Sequence, residues 1–373
     1  MSGIYIHIPF CRSKCAYCNF FSVVSSKEQI KTLEAIAKEL TQRSAFLQDF
    51  FPVETIYFGG GTPSGIDEEW IFKILDVIFQ NYSVVDNPEI ALEANPDDLS
   101  PKYLVNISNR INRLSIGVQS FHNGDLHFLG RRHTAEKAKT AISDARKAGF
   151  NNISIDLIYG VSDSIEIWED NIQTALSFAP EHISAYSLTV EERTLLDQNL
   201  KQGKQIIASE DFVEQQYELL INALNRSGYE HYEISNFAKP GFHSKHNSGY
   251  WNGAPYLGVG PAAHSFNGTI RRWNVAHIRQ YCEGIANGIS VFETEELSDR
   301  ECYNEYVMLH LRTANGIDET DLKAKFGKKY REFFLQQAVP LIKSGQILRE
   351  KTTFRIPETL FLLSDHIIAE LFI

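Results

Sequence analysis

The sequence has no surplus of basic charge. Lysine and arginine number 36 against 47 aspartates and glutamates, a net charge of −11. A general nucleic-acid binder would carry a basic face, so nucleic acid is not an expected partner. The chain also lacks any apolar run near the roughly 18 residues that a membrane helix needs. Its apolar end, Ile367 to Ile373, is too short to span. No basic stretch, apolar stretch and cleavage site follow one another at the start, so no signal peptide is expected and the cytoplasm is the default location. An even cysteine framework is missing too. Of five cysteines, three lie within eight residues, while Cys282 and Cys302 stand far apart. That excludes a disulfide scaffold and, in a reducing compartment, reads as a metal site. No internal repeat or low-complexity tract stands out.

What is present is an ordinary globular composition, 43% hydrophobic and 22% charged over 373 residues. It supports a sizeable core in two domains, or one large barrel with an appendage. The first half alternates short β-branched runs with amphipathic stretches. The runs are Ile4–Ile8, Thr55–Phe58, Ile90–Ala94, Arg113–Val118, Ile153–Ile158 and His182–Leu188. Helical patterning covers Lys27–Phe46, Glu68–Gln80, Thr134–Ala148, Asp163–Phe178 and Glu210–Arg226. Near-continuous apolar strands separated by helices imply a parallel sheet buried on both faces. Right-handed crossovers curl such units the same way, and six of them predict an α/β fold, a partial (β/α)6 barrel. A doubly wound open sheet is the alternative.

From Ser227 to Arg272 the texture turns to Gly, Asn, His, Tyr and Pro, which reads as an ordered, functional loop region. Helical patterning returns over Asp299–Leu311, Asp318–Phe326 and Tyr330–Ser344, and Gln346–Arg349 with Thr353–Ile356 reads as a small hairpin. The expected division is 1–226 for the barrel, 227–293 for a segment completing its side, and 294–373 for a helical, winged-helix-like C-terminal domain.

The cysteine cluster is Cys11-Arg-Ser-Lys-Cys15-Ala-Tyr-Cys18, directly after the first strand. Three thiolates on one loop hold three corners of a [4Fe–4S] cubane and leave one iron open. S-adenosylmethionine (SAM) can chelate that iron through its amino and carboxylate groups, and an electron from the cluster then breaks its sulfonium–C5′ bond. A structural zinc site would need a fourth ligand to close its tetrahedron. There is no second cysteine pair, and the one nearby candidate, His7, sits in a strand pattern.

In barrels of this kind the C-terminal strand ends build the site. The second strand runs into Gly59-Gly60-Gly61-Thr62-Pro63, which is either a plain turn or a backbone exposed to a ligand. Later strands carry Glu93, Gln119 in Gln119-Ser120-Phe121, Asp156 and Tyr186. A carboxylate in an apolar strand needs a partner, either a ligand or a structural group. Recurrence at the same relative position in successive units favours one shared site. Arg131 and Arg132 read as carboxylate binders or as helix-end charges.

These motifs resemble the coproporphyrinogen dehydrogenase-like family of radical SAM proteins. The resemblance rests on Tyr5–Cys11, Cys15–Cys18, Gly59–Pro63, Ile116–Ser120, Leu129–Arg131, Tyr232–Asn236 and Tyr256–Gly260, and it covers essentially the whole chain. The family has a branch of oxygen-independent coproporphyrinogen III dehydrogenases and a branch of haem chaperones. In the first, a fourth cysteine stands two residues after the third; here that position is Phe20. The dehydrogenases also carry a long N-terminal extension, whereas ten residues precede Cys11 here. His246-Asn247-Ser248-Gly249-Tyr250-Trp251 matches the HNxxYW motif linked to haem in the chaperone branch.

The resemblance implies that Tyr5, Gly60 and Glu93 contact the cluster-bound SAM. It implies that Tyr17, Gly61, Thr62, Gln119, Arg131 and Asp156 match contacts to a second SAM in the dehydrogenase branch. A histidine beside Tyr250 and Trp251 suits haem iron and a flat macrocycle. On the residues alone, a loop with aromatic anchors, whose histidine makes a backbone hydrogen bond, explains it better; the motif match reverses that, and His231, His243 and His264 are rival ligands. The expected function is a haem chaperone that binds the cluster, SAM and haem, and passes haem to respiratory haem proteins. Such delivery would favour peripheral membrane contact. A coproporphyrinogen decarboxylase, or a radical enzyme on another substrate, is the alternative.

Overall fold

The computed structural model describes residues 2–50 and 52–373. Six parallel strands follow the expected runs: β1 (Gly3–Ile8), β2 (Val53–Gly60), β3 (Val84–Ala94), β4 (Arg113–Gln119), β5 (Ile153–Tyr159) and β6 (His182–Ser187). They pair in sequence order with parallel register, for example Ile4 with Ile56 and Asp156 with Ser184. The helices Gln29–Gln42, Glu68–Asn81, Ala135–Lys147, Ile165–Ser177 and Glu210–Arg226 come close to the helical patterning in the sequence. The first is shorter than expected, because a 3-10 turn over Ser44–Phe50 replaces its end. Side-chain caps fix several starts: Asp67, Thr134 and Ser164 each accept a hydrogen bond from a first-turn amide.

The strands are not apolar on both faces. Side chains alternate across a strand with period two. Ile4, Ile6, Ile56, Phe58, Leu92, Leu114, Ile116, Ile155 and Ile183 are buried on one face, in the same core cluster as the helices' apolar residues. The intervening positions are Tyr5, His7, Tyr57, Gly59, Glu93, Ser115, Gly117, Asp156 and Tyr186. They give the concave face a polar wall, which is chemically suited to a ligand and ill suited to a dry core.

The segment expected as loop is mostly regular. It forms β7 (Glu230–Glu233), β8 (Asn236–Ala238), the helix Lys245–Trp251, β9 (Tyr256–Val259), β10 (His264–Phe266) and β11 (Ile270–Asn274). Its strands are short and its polar aromatics are paired internally, which hid the pattern. β8 and β7 extend the sheet antiparallel beyond β6. On the other edge β9 joins β1 in parallel, and β10, β11 and β12 (Phe292–Glu296) follow antiparallel. The result is one open sheet of 12 strands rather than six.

The β9–β11 edge is tied to the first helix by buried Glu39. Its carboxylate accepts from the Gly260 amide (2.9 Å), Tyr281 (2.6 Å), Asn274 (2.8 Å) and Arg43 (3.0 Å). Four donors offset the cost of burying its charge.

The C-terminal part has the helix Asp299–Leu311 and a helical stretch Glu319–Lys343 broken at Gly327, whose φ is +82°. β13 (Ile317–Asp318), β14 (Leu348–Glu350) and β15 (Thr353–Arg355) form its wing, in the order β13-β15-β14. It docks on the barrel edge through Ile234 N to Arg312 O (3.0 Å) and Ala314 N to Tyr232 O (3.0 Å). Among the described residues no helix is long and apolar enough to cross a membrane.

Candidate functional site

The loop after β1 carries the three cysteines to the C-terminal end of the sheet. Backbone bonds hold it there: Cys11 N to Val23 O (3.0 Å), Ala16 N to Leu129 O (3.0 Å) and Leu196 N to Ala16 O (2.8 Å). The thiols line a cavity of about 410 Å³. The same cavity is lined by Tyr17, Gly60, Gly61, Thr62, Glu93 and Gln119, and further by Arg131, Asp156 and Tyr186. Residues from six strand ends thus meet in one place.

The backbone is shaped to allow this. Gly60 adopts φ +112°, and a Cβ there would stand 2.7 Å from the His7 ring. Gln119 holds φ +67°, unusual for a non-glycine, at a register shift between β4 and β5. That kink turns its side chain into the cavity.

Glu93 accepts from Tyr57 Oη (3.0 Å) and from the Gly60 amide (3.0 Å). Burial first, and the neighbouring Asp156 charge second, push its pKa up to about 7. Asp156 accepts from Ser115 Oγ (3.1 Å), and burial pushes it up to about 6. Two carboxylates in one cavity form a strong cation-binding pair once either ionises. Tyr57 and Ser115 were not singled out in the sequence. Period-two alternation places both on the cavity side, and that signal finds them.

Two cluster-loop sulfurs accept hydrogen bonds from outside their loop: Cys11 from Thr62 Oγ1 (3.4 Å) and Cys15 from Arg131 Nη1 (3.2 Å). The Cys18 thiol is raised by burial and by its two neighbouring thiols. Crowded thiolates of this kind are relieved by cationic iron, so the donor set fits an iron–sulfur cluster. His7 is turned away, bonded to Phe21 O at 3.0 Å. Arg131 is no free carboxylate binder: its other Nη donates to Gly117 O (2.7 Å). Arg132 pairs with Asp97 at 3.1 Å.

The other expected residues lie elsewhere. Tyr5 sits behind the cavity wall, stacked on Tyr57 and His246 with ring centroids 6.0 and 6.3 Å apart. His246 is buried, and both ring nitrogens are engaged, Nδ1 with Thr55 Oγ1 (2.8 Å) and Nε2 with Tyr250 Oη (2.9 Å). Burial pushes its pKa down to about 3. The space beside it and Tyr250 is about 10 Å³, room for one water at most. Trp251 ends the same helix, half-buried. In this conformation the ring serves as a satisfied core histidine, with no space for a macrocycle beside it. Of its rivals, His231 is buried, His243 pairs with Glu230 (2.8 Å), and His264 is exposed on β10, between β9 and β11.

The sequence model of the Radical SAM superfamily matches residues 5–174. The "Heme chaperone HemW" of Bacillus subtilis (strain 168) is 36% identical over 352 residues, 93% of each chain. That of Lactococcus lactis subsp. lactis is 31% identical over 372 residues, 98% of this chain and 96% of the relative. Among solved structures, the coproporphyrinogen III oxidase HemN of Escherichia coli superposes with a TM-score of 0.85 at 21% identity. The match covers 99% of this chain and 89% of that one, and it shows the shared open-sheet fold. At this identity and coverage, the chain belongs to the radical SAM superfamily and, within it, to the HemW family.

Proposed function

We propose that the chain is a haem chaperone that holds a [4Fe–4S] cluster on Cys11, Cys15 and Cys18, binds SAM in the adjoining cavity, and passes haem to respiratory haem proteins in the cytoplasm or at a membrane surface. The radical SAM family implies the cluster and SAM. The observation that carries the reading is the convergence of the three thiols and two half-buried carboxylates on one cavity. When bound, the cluster supplies the open iron and the electron for cleavage of the sulfonium–C5′ bond.

Around it, Glu93 takes the methionyl ammonium. Asp156, Gln119 and Tyr17 hold the remaining polar groups, and Thr62 and Arg131 steady the cluster loop. The HemW names of the relatives support haem as cargo. So does Phe20, which is 66% exposed at the cavity mouth where the dehydrogenase branch has a cysteine.

The test is an anaerobic haem titration of the reconstituted protein, followed by its Soret band. Saturable binding near one haem per chain is the expected result. No saturable binding, or SAM-dependent decarboxylation of coproporphyrinogen, would overturn the chaperone reading. His246→Ala in the same titration locates the ligand. An unchanged Soret band places ligation away from His246, and a weakened one shows that the ring leaves Thr55 and Tyr250 to reach iron.

A further inference from the structure

We propose that Arg131 is a positioning residue for the cluster, whose guanidinium, bonded to the Cys15 sulfur, makes the cluster easier to reduce. The inference rests on the reading that the three cysteines hold a [4Fe–4S] group. Arg131 Nη1 donates to Cys15 Sγ at 3.2 Å and Nη2 to Gly117 O at 2.7 Å. Among the described residues it forms no ion pair with a carboxylate, and its buried Nε has no partner. The cation is thus shared among the Cys15 sulfur, the Gly117 carbonyl and the Tyr17 hydroxyl, with no carboxylate paired to it.

The approach is built in by backbone. Leu129 O accepts from Ala16 N (3.0 Å), and Arg131 N donates to Leu126 O (2.8 Å). Between them Gly130 has φ +71°, and a Cβ there would stand 3.1 Å from Ala16 N. Only a glycine lets the Leu129–Arg131 turn lie this close to the cysteine loop.

One-electron reduction adds a negative charge that is shared with the ligating sulfurs. A permanent cation donating to one of them stabilises the reduced form more than the oxidised one. Arginine suits this because it stays charged even when half-buried. Thr62, a neutral donor 3.4 Å from Cys11, gives a weaker effect of the same sign. Cys18 receives no side-chain donor among the described residues, so the field on the cluster is lopsided towards Cys15.

The experiment measures the midpoint potential of the reconstituted, SAM-free protein by EPR, with dithionite as the one-electron reductant. Iron and sulfide contents are determined in parallel. R131Q is expected to be harder to reduce by about tenfold in the equilibrium constant, or about 59 mV. R131K keeps the charge but not the paired donors, and is expected to lie between, about threefold from wild type. A fully loaded R131Q with the wild-type potential overturns the inference, as does an R131K shifted as far as R131Q. If R131Q does not retain its cluster, R131K decides alone, and a wild-type potential there overturns the inference. Wild-type protein that binds no iron and sulfide overturns the cluster reading itself, which keeps the two failures distinct.

Discussion

Replacing Glu93 by Gln should stabilise the ligand-free protein while weakening SAM binding. The carboxyl is held near 7 instead of 4.5, mainly by burial. Carried through, that is up to ~3 kcal/mol of penalty on its charged form. The cavity admits water and Asp156 titrates with Glu93, so about 1–2 kcal/mol is the expected gain.

The sign follows from proton counting. Below pH 4.5 folded and unfolded chains both hold the proton. Between 4.5 and 7 the folded chain keeps a proton that the unfolded one releases, so wild-type stability falls as pH rises. Above 7 the penalty is complete. Gln keeps the geometry: its oxygen accepts from the Gly60 amide, and its NH₂ donates to a rotated Tyr57 hydroxyl. Urea denaturation should therefore show wild type and E93Q alike near pH 4.5, and E93Q more stable at pH 8. Calorimetric SAM titration should show at least a tenfold loss of affinity, because the ammonium loses its carboxylate. An E93Q protein less stable than wild type at pH 8 would refute the reasoning, and so would unchanged SAM affinity.

At Gly61 an added Cβ would stand 2.9 Å from Ile8 O, Phe10 N and Phe10 O, backbone that leads directly to Cys11. Gly61→Ala should cost about 1–3 kcal/mol and lower iron per chain, checked by Tm and iron assay; unchanged values would contradict the close approach. His246 is held neutral far below the ordinary histidine range, so its contribution is present above pH 6.5 and is lost as pH falls towards 3. The stability gap between wild type and His246→Gln should narrow by about 1 kcal/mol per pH unit between 6 and 4. A constant gap would mean that the ring is not shielded from protons.

The cysteine triplet, the six strand–helix units and the polar residues at their ends were legible in the sequence, because each is a local signal. Spacing along one loop sets where thiols can meet, and periodicity sets what a segment becomes. The strand ends of Gly60, Glu93, Gln119 and Asp156 follow from the direction rule for parallel β/α units, with no tertiary information needed.

Only the tertiary structure decided the rest, because it depends on pairings across long sequence separations. Short strands such as Asn236–Ala238 and His264–Phe266 become strands through the sheet edges that they cover. Arg131 meets Cys15 from 116 positions away, and His246 meets Thr55 across 191. In the sequence His246 stands among flat aromatics like a ligand. In the fold Thr55 and Tyr250 have already taken both of its nitrogens. A motif records which groups are present, and packing decides which of their hydrogen-bonding atoms remain free.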